Sequence, residues 1–147
     1  MKRKLVAPDF AETVEVLATF RFGLRRFLNF SEGIVGAAGI TSQQYQALLV
    51  LIRERETGVS VGSLAEEMIL VPHGAVQLVN RLSEAGLAER KSDAVDARVS
   101  RVHATPKAIR LMKTLVKEHA AGLSAQERLL RKSLDSLRWL LVDKSSP

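Results

Sequence analysis

Apolar residues recur every three or four positions through the first part of the chain, which is the spacing of an amphipathic helix. This pattern predicts four helices, which cover residues 9–38, a segment from Thr41, a short segment from Ser60 and residues 72–85. Thr41 with Gln44 three positions later forms a capping box, and Gly86 is the glycine that commonly follows a helix. The third and fourth helices are separated by only a few residues, as in a helix-turn-helix.

The period of the pattern changes after Gly86. Residues 87–91 and 98–104 are predicted to be two short strands, because a polar segment typical of a turn separates them. A hairpin of two strands is only marginally stable alone, so it must pack against the helices.

Helical spacing returns after the hairpin. Thr105 and Pro106 supply a cap and a first-turn proline, and Gly122 is predicted to end this helix. Ser124 with Glu127 forms another capping box, which predicts a separate last helix. The order of four helices, two strands and two helices predicts a mainly α fold with a small β-hairpin.

Composition narrows the class of protein. The 147 residues, of which 46% are hydrophobic and 26% charged, are enough for one compact domain with a core. No apolar run is long enough to cross a bilayer, and Pro8 interrupts the basic N-terminus before a secretory segment can form. The absence of cysteine excludes disulfides and cysteine zinc sites within this chain. We therefore expect a cytoplasmic protein.

The formal net charge of +6 and the sequence pI of about 10.1 suggest a polyanionic partner. Many basic proteins bind no nucleic acid, however, so charge alone leaves DNA binding and a merely basic surface equally open. The distribution of side chains on the fourth helix bears on this choice.

The fourth predicted helix has one apolar and one polar face. The apolar stripe consists of Ala75, Leu78, Val79 and Leu82. The opposite side carries His73, Gln77 and Asn80, with Gly74 and Arg81 beside them. The start of the second helix of a helix-turn-helix enters the major groove, where Gln reads adenine and Arg reads guanine or holds a phosphate. Pro72 is tolerated at the first helical position, and the helix N-terminus favours a nearby phosphate.

The same pattern has simpler interpretations. A polar face of this kind is also what an ordinary solvated helix carries. Gly74 either lets the backbone approach DNA or marks a close contact between two helices. Val71 cannot cap the helix, so its start is weaker than stability alone would favour.

Basic residues flank the turn of the predicted hairpin, at Lys91, Arg98 and Arg101. Residues 72–101 contain five basic and four acidic residues, so their total charge does not indicate DNA binding. The positions of the basic side chains must decide whether this segment binds DNA. We call the tip of this predicted hairpin the wing. Asp96 and Arg98 are two positions apart and share one side of the wing if it is extended, and there the acid would hold the arginine ready for the minor groove. The alternative is an ordinary surface ion pair.

No arrangement of residues indicates an enzyme, a metal site or a cofactor site. The three histidines are far apart in sequence, and no nucleophile–base set or phosphate-binding glycine loop stands out. His119 with Glu118 is a weak zinc candidate, and a helix-packing histidine is the alternative. Arg21, Arg25 and Arg26 line an anion pocket, pair with a partner subunit or are simply solvated.

Several segments, in order, resemble the MarR family of winged-helix transcription regulators. They are GITSQQYQALLVLI, VSVGSLAEEM, VQLVNRLSEAGLAERK, DAVDARV and HATPKA, and they lie within residues 39–110. The most specific pieces are LVNRLSEAGLAER at the end of the recognition helix, the Asp96-x-Arg98 pair and the TPK sequence that begins the next helix.

The resemblance implies one domain over residues 1–147, with a winged helix-turn-helix lobe at 40–104 and dimerisation helices at 9–38 and 106–142. It implies an obligate homodimer that binds double-stranded DNA at a pseudo-palindromic operator, with Arg98 in the minor groove. Trp139 would then lie in the dimer core. Family members commonly respond to small ligands, so we expect a repressor with an aromatic or anionic effector.

The resemblance and the residue pattern together assign the DNA contacts. Bases would be read from the major groove by the segment that contains Pro72, His73, Gly74, Val76, Gln77 and Asn80, with Val76 on a thymine methyl group. Phosphates would be held by Arg81, Lys91, Arg101 and the helix N-terminus at Ser42. Asp96 would support Arg98 in the wing.

The chain departs from the family pattern at the start of the recognition helix. Family members usually have a small polar cap at the position of Val71 and Ser or Thr at those of His73 and Gly74, and Gln77 is often Arg. Elsewhere, Ser63 and Ala108 replace a usual acid and a usual glycine. A second hypothesis is therefore a winged-helix dimer that binds another protein instead of DNA. Because histidine changes charge near neutral pH, a pH-dependent affinity for DNA is a further hypothesis.

Overall fold

The computed structural model describes residues 9–141 and the side chains of residues 9–138. Its elements are α1 (Phe10–Ala37), α2 (Ser42–Arg53), α3 (Val61–Glu67), α4 (Pro72–Glu84), β1 (Ala88–Ser92), β2 (Ser100–Ala104) and α5 (Pro106–Leu141). The predicted class, mainly α with a small hairpin, is confirmed. The chain forms two compact units, one of residues 9–31 with 119–141 and one of residues 32–118. The side chain of Trp139, predicted to lie in a dimer core, is outside the described residues.

The unit of residues 32–118 contains a hydrophobic core to which α2, α3, α4, the hairpin and the first part of α5 contribute. Its fully buried side chains include Leu48, Leu51, Leu64, Leu78, Leu82, Val102 and Met112. Burial of one leucine side chain contributes about 1.5–3 kcal/mol, so this core dominates the stability of the unit. The predicted capping box at the start of α2 is present, because Thr41 and Gln44 each accept a backbone N–H of the other.

The hairpin is antiparallel, and Lys91 faces Arg101 across it. It is attached to the rest of the unit by a β-bridge in which Val59 and Val102 exchange two backbone hydrogen bonds of 3.0 and 2.8 Å. This third segment supplies the support that two strands alone lack. The second strand begins two residues later than predicted, because the residues before Ser100 belong to the turn.

The helix-turn-helix connection is a Schellman motif with an unusual residue in it. The amide of Leu70 donates to the carbonyl of Ala65, and that of Ile69 donates to Glu66. Ile69 adopts a left-handed backbone with a φ of 53°. The residue is 93% exposed. A β-branched residue is strained in this region, where glycine is usual. The same motif ends α4, but there Gly86 takes the left-handed position.

Replacement Ile69→Gly should therefore stabilise the protein by about 1 kcal/mol. The left-handed conformation costs an L-residue about 1–2 kcal/mol, and the greater freedom of glycine in the unfolded chain returns part of that gain. Urea denaturation at fixed protein concentration measures the change. The reciprocal variant, Gly86→Ala, should lose about 1 kcal/mol. An Ile69→Gly protein that unfolds at lower urea than the wild type contradicts this prediction.

The unit of residues 9–31 and 119–141 is formed by the first part of α1 and the second part of α5. The prediction that a helix ends at Gly122 and another begins at Ser124 is wrong, because α5 is continuous. Gly122 is buried, and a Cβ there would overlap the ring of Phe30, at 2.6 Å from its Cδ1. Close packing against an aromatic ring, and not a helix end, explains this glycine. None of the helices within residues 9–141 is long and apolar enough to span a bilayer.

Candidate nucleic-acid interface

The two faces of α4 lie as the sequence pattern predicts. The side chains of Ala75, Leu78, Val79 and Leu82 are at most 1% exposed. On the other side, His73, Gln77, Asn80 and Arg81 are exposed, and Val76 is exposed as well. The apolar stripe anchors the helix in the core, so the polar face is held towards solvent in a fixed orientation.

The N-terminus of α4 has no side-chain cap. Val71 occupies the N-cap position without a side-chain hydrogen bond, and Pro72 is the first helical residue. A Cβ on Gly74 would make only ordinary contacts, 3.6 Å to Val71 and 3.9 Å to Leu70. Both neighbours belong to the segment that leads into α4, so the interpretation of Gly74 as a close contact between two helices is wrong. The first amides of α4 are left for an outside acceptor.

Gln77 is not an isolated side chain. Its Nε2 lies 3.0 Å from Nε2 of His73, one turn earlier on the same exposed face. This hydrogen bond occupies one of the two polar atoms of the amide. It uses one of the two N–H groups of Nε2, so the second N–H and Oε1 remain available for the predicted bidentate contact of Gln77 with adenine.

Arg90 is a basic residue at this surface that the sequence analysis did not identify. Its Nη2 donates to Oδ1 of Asn80 at 3.0 Å, which connects β1 to the exposed face of α4. The contact fixes the amide of Asn80, which is a candidate for reading a base, and the guanidinium of Arg90 beside it. The two residues are ten positions apart on different elements, so no local spacing in the sequence indicates that they form a pair.

Two aspartates order the turn of the wing. Oδ1 of Asp93 accepts the amides of Val95 and Asp96 at 2.8 and 3.1 Å. Oδ1 of Asp96 accepts the amide of Arg98 at 3.0 Å. Asp96 thus holds the backbone of Arg98 and forms no ion pair with its guanidinium, so the alternative of an ordinary surface ion pair is not what the structure shows. A short carboxylate reaches the amide two residues ahead more readily than the end of a long side chain.

Arg101 is engaged inside the wing. Its Nε forms an ion pair with Asp93, and one of its Nη groups lies 3.4 Å from the carbonyl of Gly58. The guanidinium, together with the amides of Val95 and Asp96, lowers the pKa of Asp93 from 3.8 to about 2. The pair therefore stays charged at any pH at which DNA binding is measured. Arg101 is thus held by Asp93 and Gly58 within the wing, and its contact with a phosphate stays a prediction.

Arg98 and Arg81 differ from Arg101 in that both are exposed and neither forms an ion pair with another described residue. Lys91 is exposed too, and its Nζ lies 2.8 Å from Glu89 on the same strand. This surface pair is weak and exchanges readily for a contact with a phosphate. Ser42 is only half-buried at the first position of α2.

The C-terminal end of α4 is tied to the start of α5. Nζ of Lys107 donates to the carbonyl of Ala85 at 2.8 Å, and Oγ1 of Thr105 donates to the carbonyl of Gly86 at 2.7 Å. Thr105 also accepts the amide of Ala108 and so caps α5. Thr105 and Lys107 of the TPK sequence therefore satisfy the carbonyls of the two residues that follow the candidate recognition helix.

The other candidates from the sequence lie in the unit of residues 9–31 and 119–141. His119 is buried, and its Nε2 is 2.7 Å from Oγ of Ser31, as expected of a helix-packing histidine. Within the described residues, no three acidic or histidine side chains come together to hold a metal. The guanidinium of Arg26 lies 5.9 Å from the centre of the Phe22 ring and borders an open groove of about 520 Å³ with Arg128 and Lys132.

Comparisons with known proteins bear on this surface. A model of the MarR family matches residues 38–99, which include α2, α3, α4, β1 and most of the wing turn. A search of curated proteins found no match.

Solved structures share the fold. A MarR family protein from Bacillus stearothermophilus has a TM-score of 0.71 and 22% identity, over 88% of this chain and 98% of that chain. The MepR–DNA complex of S. aureus has a TM-score of 0.63 and 21% identity, over 80% of this chain and 97% of that chain. CouR from Rhodococcus jostii RHA1, bound to p-coumaroyl-CoA, has a TM-score of 0.64 and 22% identity, over 82% and 87%. At these identities the likeness extends to the fold.

Proposed function

Because the chain carries a MarR family segment at residues 38–99, we propose that it is a homodimeric, sequence-specific DNA-binding transcription regulator. One observation carries the proposal. The exposed face of α4 offers hydrogen-bonding groups and no acid before Glu84, while its opposite face is fixed in the core. An amphipathic helix presented in this way, after a short helix and a tight turn, is suited to the major groove.

In this proposal the α4 face reads bases through His73, Gln77 and Asn80, with Val76 against a thymine methyl group. Phosphates are held by Arg81, Arg90, Lys91 and the helix N-termini at Ser42 and Pro72. Arg98 at the wing enters the minor groove, and the ordered turn around Asp93 and Asp96 supports it.

The protein would act in the cytoplasm as a repressor on a pseudo-palindromic operator, with one lobe of the dimer on each half-site. Two related proteins in the comparison are seen with DNA or with a small molecule, MepR with DNA and CouR with p-coumaroyl-CoA. For this chain we propose a small aromatic or anionic effector that releases the operator.

Salt dependence tests the proposal directly. Duplexes selected from a randomised pool by the purified full chain are titrated by fluorescence anisotropy. Phosphate contacts from Arg81, Arg90 and Lys91 of both subunits make about six per dimer, so the affinity should fall by about a thousandfold between ~50 and ~200 mM salt. A winged-helix dimer that binds only another protein would show no duplex binding at either concentration, and that result overturns the proposal.

A further inference from the structure

We infer that His73 is a positioning residue for Gln77, and that a proton on His73 reverses which polar atom of the Gln77 amide faces the DNA. The inference rests on the proposed function and adds to it a base preference that depends on pH. It concerns the relative affinity for different sequences, which is separate from the overall affinity for DNA.

Nε2 of Gln77 lies 3.0 Å from Nε2 of His73. An amide NH2 group only donates, so Nε2 of His73 must accept in this arrangement. The imidazole is then neutral, with its proton on Nδ1. Because one N–H of the amide holds its NH2 end at His73, the end directed away from His73 is Oε1 of Gln77, and we take this end to meet the base. It is a hydrogen-bond acceptor.

Protonation of His73 removes the acceptor from this contact. Both ring nitrogens of an imidazolium donate, so Nε2 of His73 can no longer face an NH2 group. A half-turn of the Gln77 amide restores the hydrogen bond, with Oε1 towards His73 and the NH2 group outward. Both side chains are exposed, so no packing prevents this rotation. The atom that meets a base is now a donor.

The two states favour different bases. An outward Oε1 accepts from N6 of adenine or N4 of cytosine in the major groove. An outward NH2 group donates to N7 of adenine, to O6 or N7 of guanine or to O4 of thymine. Adenine therefore suits both states. At the position that Gln77 contacts, neutral His73 favours cytosine over guanine and thymine, and protonated His73 favours guanine and thymine over cytosine.

No fixed ion pair determines the charge of His73. At its C-terminal end α4 meets Lys107 of α5, and the elements packed along the rest of α4 are α2, α3 and β1. The charged groups on these elements and on α4 itself are Arg53, Glu66, Glu67, Arg81, Glu84, Glu89, Arg90 and Lys91. Within the described residues, Arg53 pairs with Glu67 and Lys91 with Glu89, while Arg90 bonds to Asn80. None of the eight is hydrogen bonded to His73 or to Gln77, whose mutual contact is the one described above.

The test selects duplexes from a pool with a randomised central segment, at about pH 5.5 and about pH 8, and sequences the bound fraction. At the position contacted by Gln77, the ratio of cytosine to guanine plus thymine should fall about fivefold at the lower pH, the effect of one hydrogen bond. The positions read by Asn80 and Arg98 serve as internal controls and should keep their preferences. A charge on His73 alone would raise the affinity for every sequence equally.

Two variants separate the hydrogen bond from the charge. The side chain in His73→Lys only donates, so this variant should show the low-pH preference at both pH values. His73→Ala releases the amide and should show no change with pH. Loss of the pH-dependent preference in both variants, with its presence in the wild type, supports the inference.

Identical wild-type preferences at both pH values overturn the inference and leave the proposed function intact. So does a change in overall affinity that is the same for all sequences. A wild-type protein that selects no duplex at either pH overturns the proposed function, and this inference with it.

Discussion

Replacement of Arg98 by alanine should weaken binding to a selected operator by about 1–3 kcal/mol for each subunit, and by roughly twice that in the proposed dimer. Arg98 is exposed on the wing and forms no ion pair with another described residue, which leaves its guanidinium free for the narrow, electronegative minor groove. The backbone amide of Arg98 is held by Asp96, so this part of the wing backbone is already ordered before DNA binds. Fluorescence anisotropy with the selected duplex measures the loss, and the salt dependence should also become shallower.

Arg55→Ala is the matched control, because it removes the same charge from the same unit. Arg55 is highly exposed, and among the described residues its ion-pair partner is its neighbour Glu56, at 3.1 Å. Its loss should change the affinity by less than about twofold, the effect of a weak surface pair. Equal losses in both variants would mean that Arg98 acts through net charge alone. Wild-type affinity in Arg98→Ala would remove the wing from the interface.

The polar face of α4 could be predicted from the sequence because a helix repeats every 3.6 residues, and the period follows from local geometry alone. Four buried positions, Ala75, Leu78, Val79 and Leu82, were enough to define which side faces solvent. The contact between His73 and Gln77 also follows from this period, since residues four apart on a helix are neighbours. The direction of the hydrogen bond depends on the protonation state of the ring, which a sequence does not record.

Contacts between different helices and strands could not be predicted from the sequence. The pairing of Arg101 with Asp93 depends on the register of the hairpin, and a shift by one residue would place the two side chains on opposite faces. Arg101 was therefore predicted to be a DNA contact without its pairing with Asp93, which the structure shows. Gly122 was predicted to end a helix for a related reason. Glycine is common after helices, but here the ring of Phe30, distant in sequence, requires it inside one.

Gly58→Ala should destabilise the protein by about 2–4 kcal/mol, from two causes of the same sign. Gly58 has a φ of 68°, which costs an alanine about 1 kcal/mol or more. A Cβ at Gly58 would also overlap the ring of His103, at 2.6 and 2.9 Å from Cε1 and Cδ2, and displacement of a packed side chain costs about 1–3 kcal/mol. Because Gly58 lies beside the Val59–Val102 bridge and accepts from Arg101, the same change should loosen the wing and weaken DNA binding.

Gly39→Ala isolates the first cause. Gly39 has a φ of 77°, but nothing lies within 4 Å of the position of its Cβ, so this variant should lose about 1 kcal/mol from the backbone alone. Urea denaturation of both variants at one protein concentration gives the free energy of unfolding of each. The difference between their losses is the steric part, which comes from the overlap with the His103 ring. In the double variant Gly58→Ala/His103→Ala the steric part should disappear, because the ring that the new methyl group meets is gone. If Gly58→Ala loses no more stability than Gly39→Ala, the His103 ring is not packed on Gly58 in solution, and the wing is attached to the unit without it.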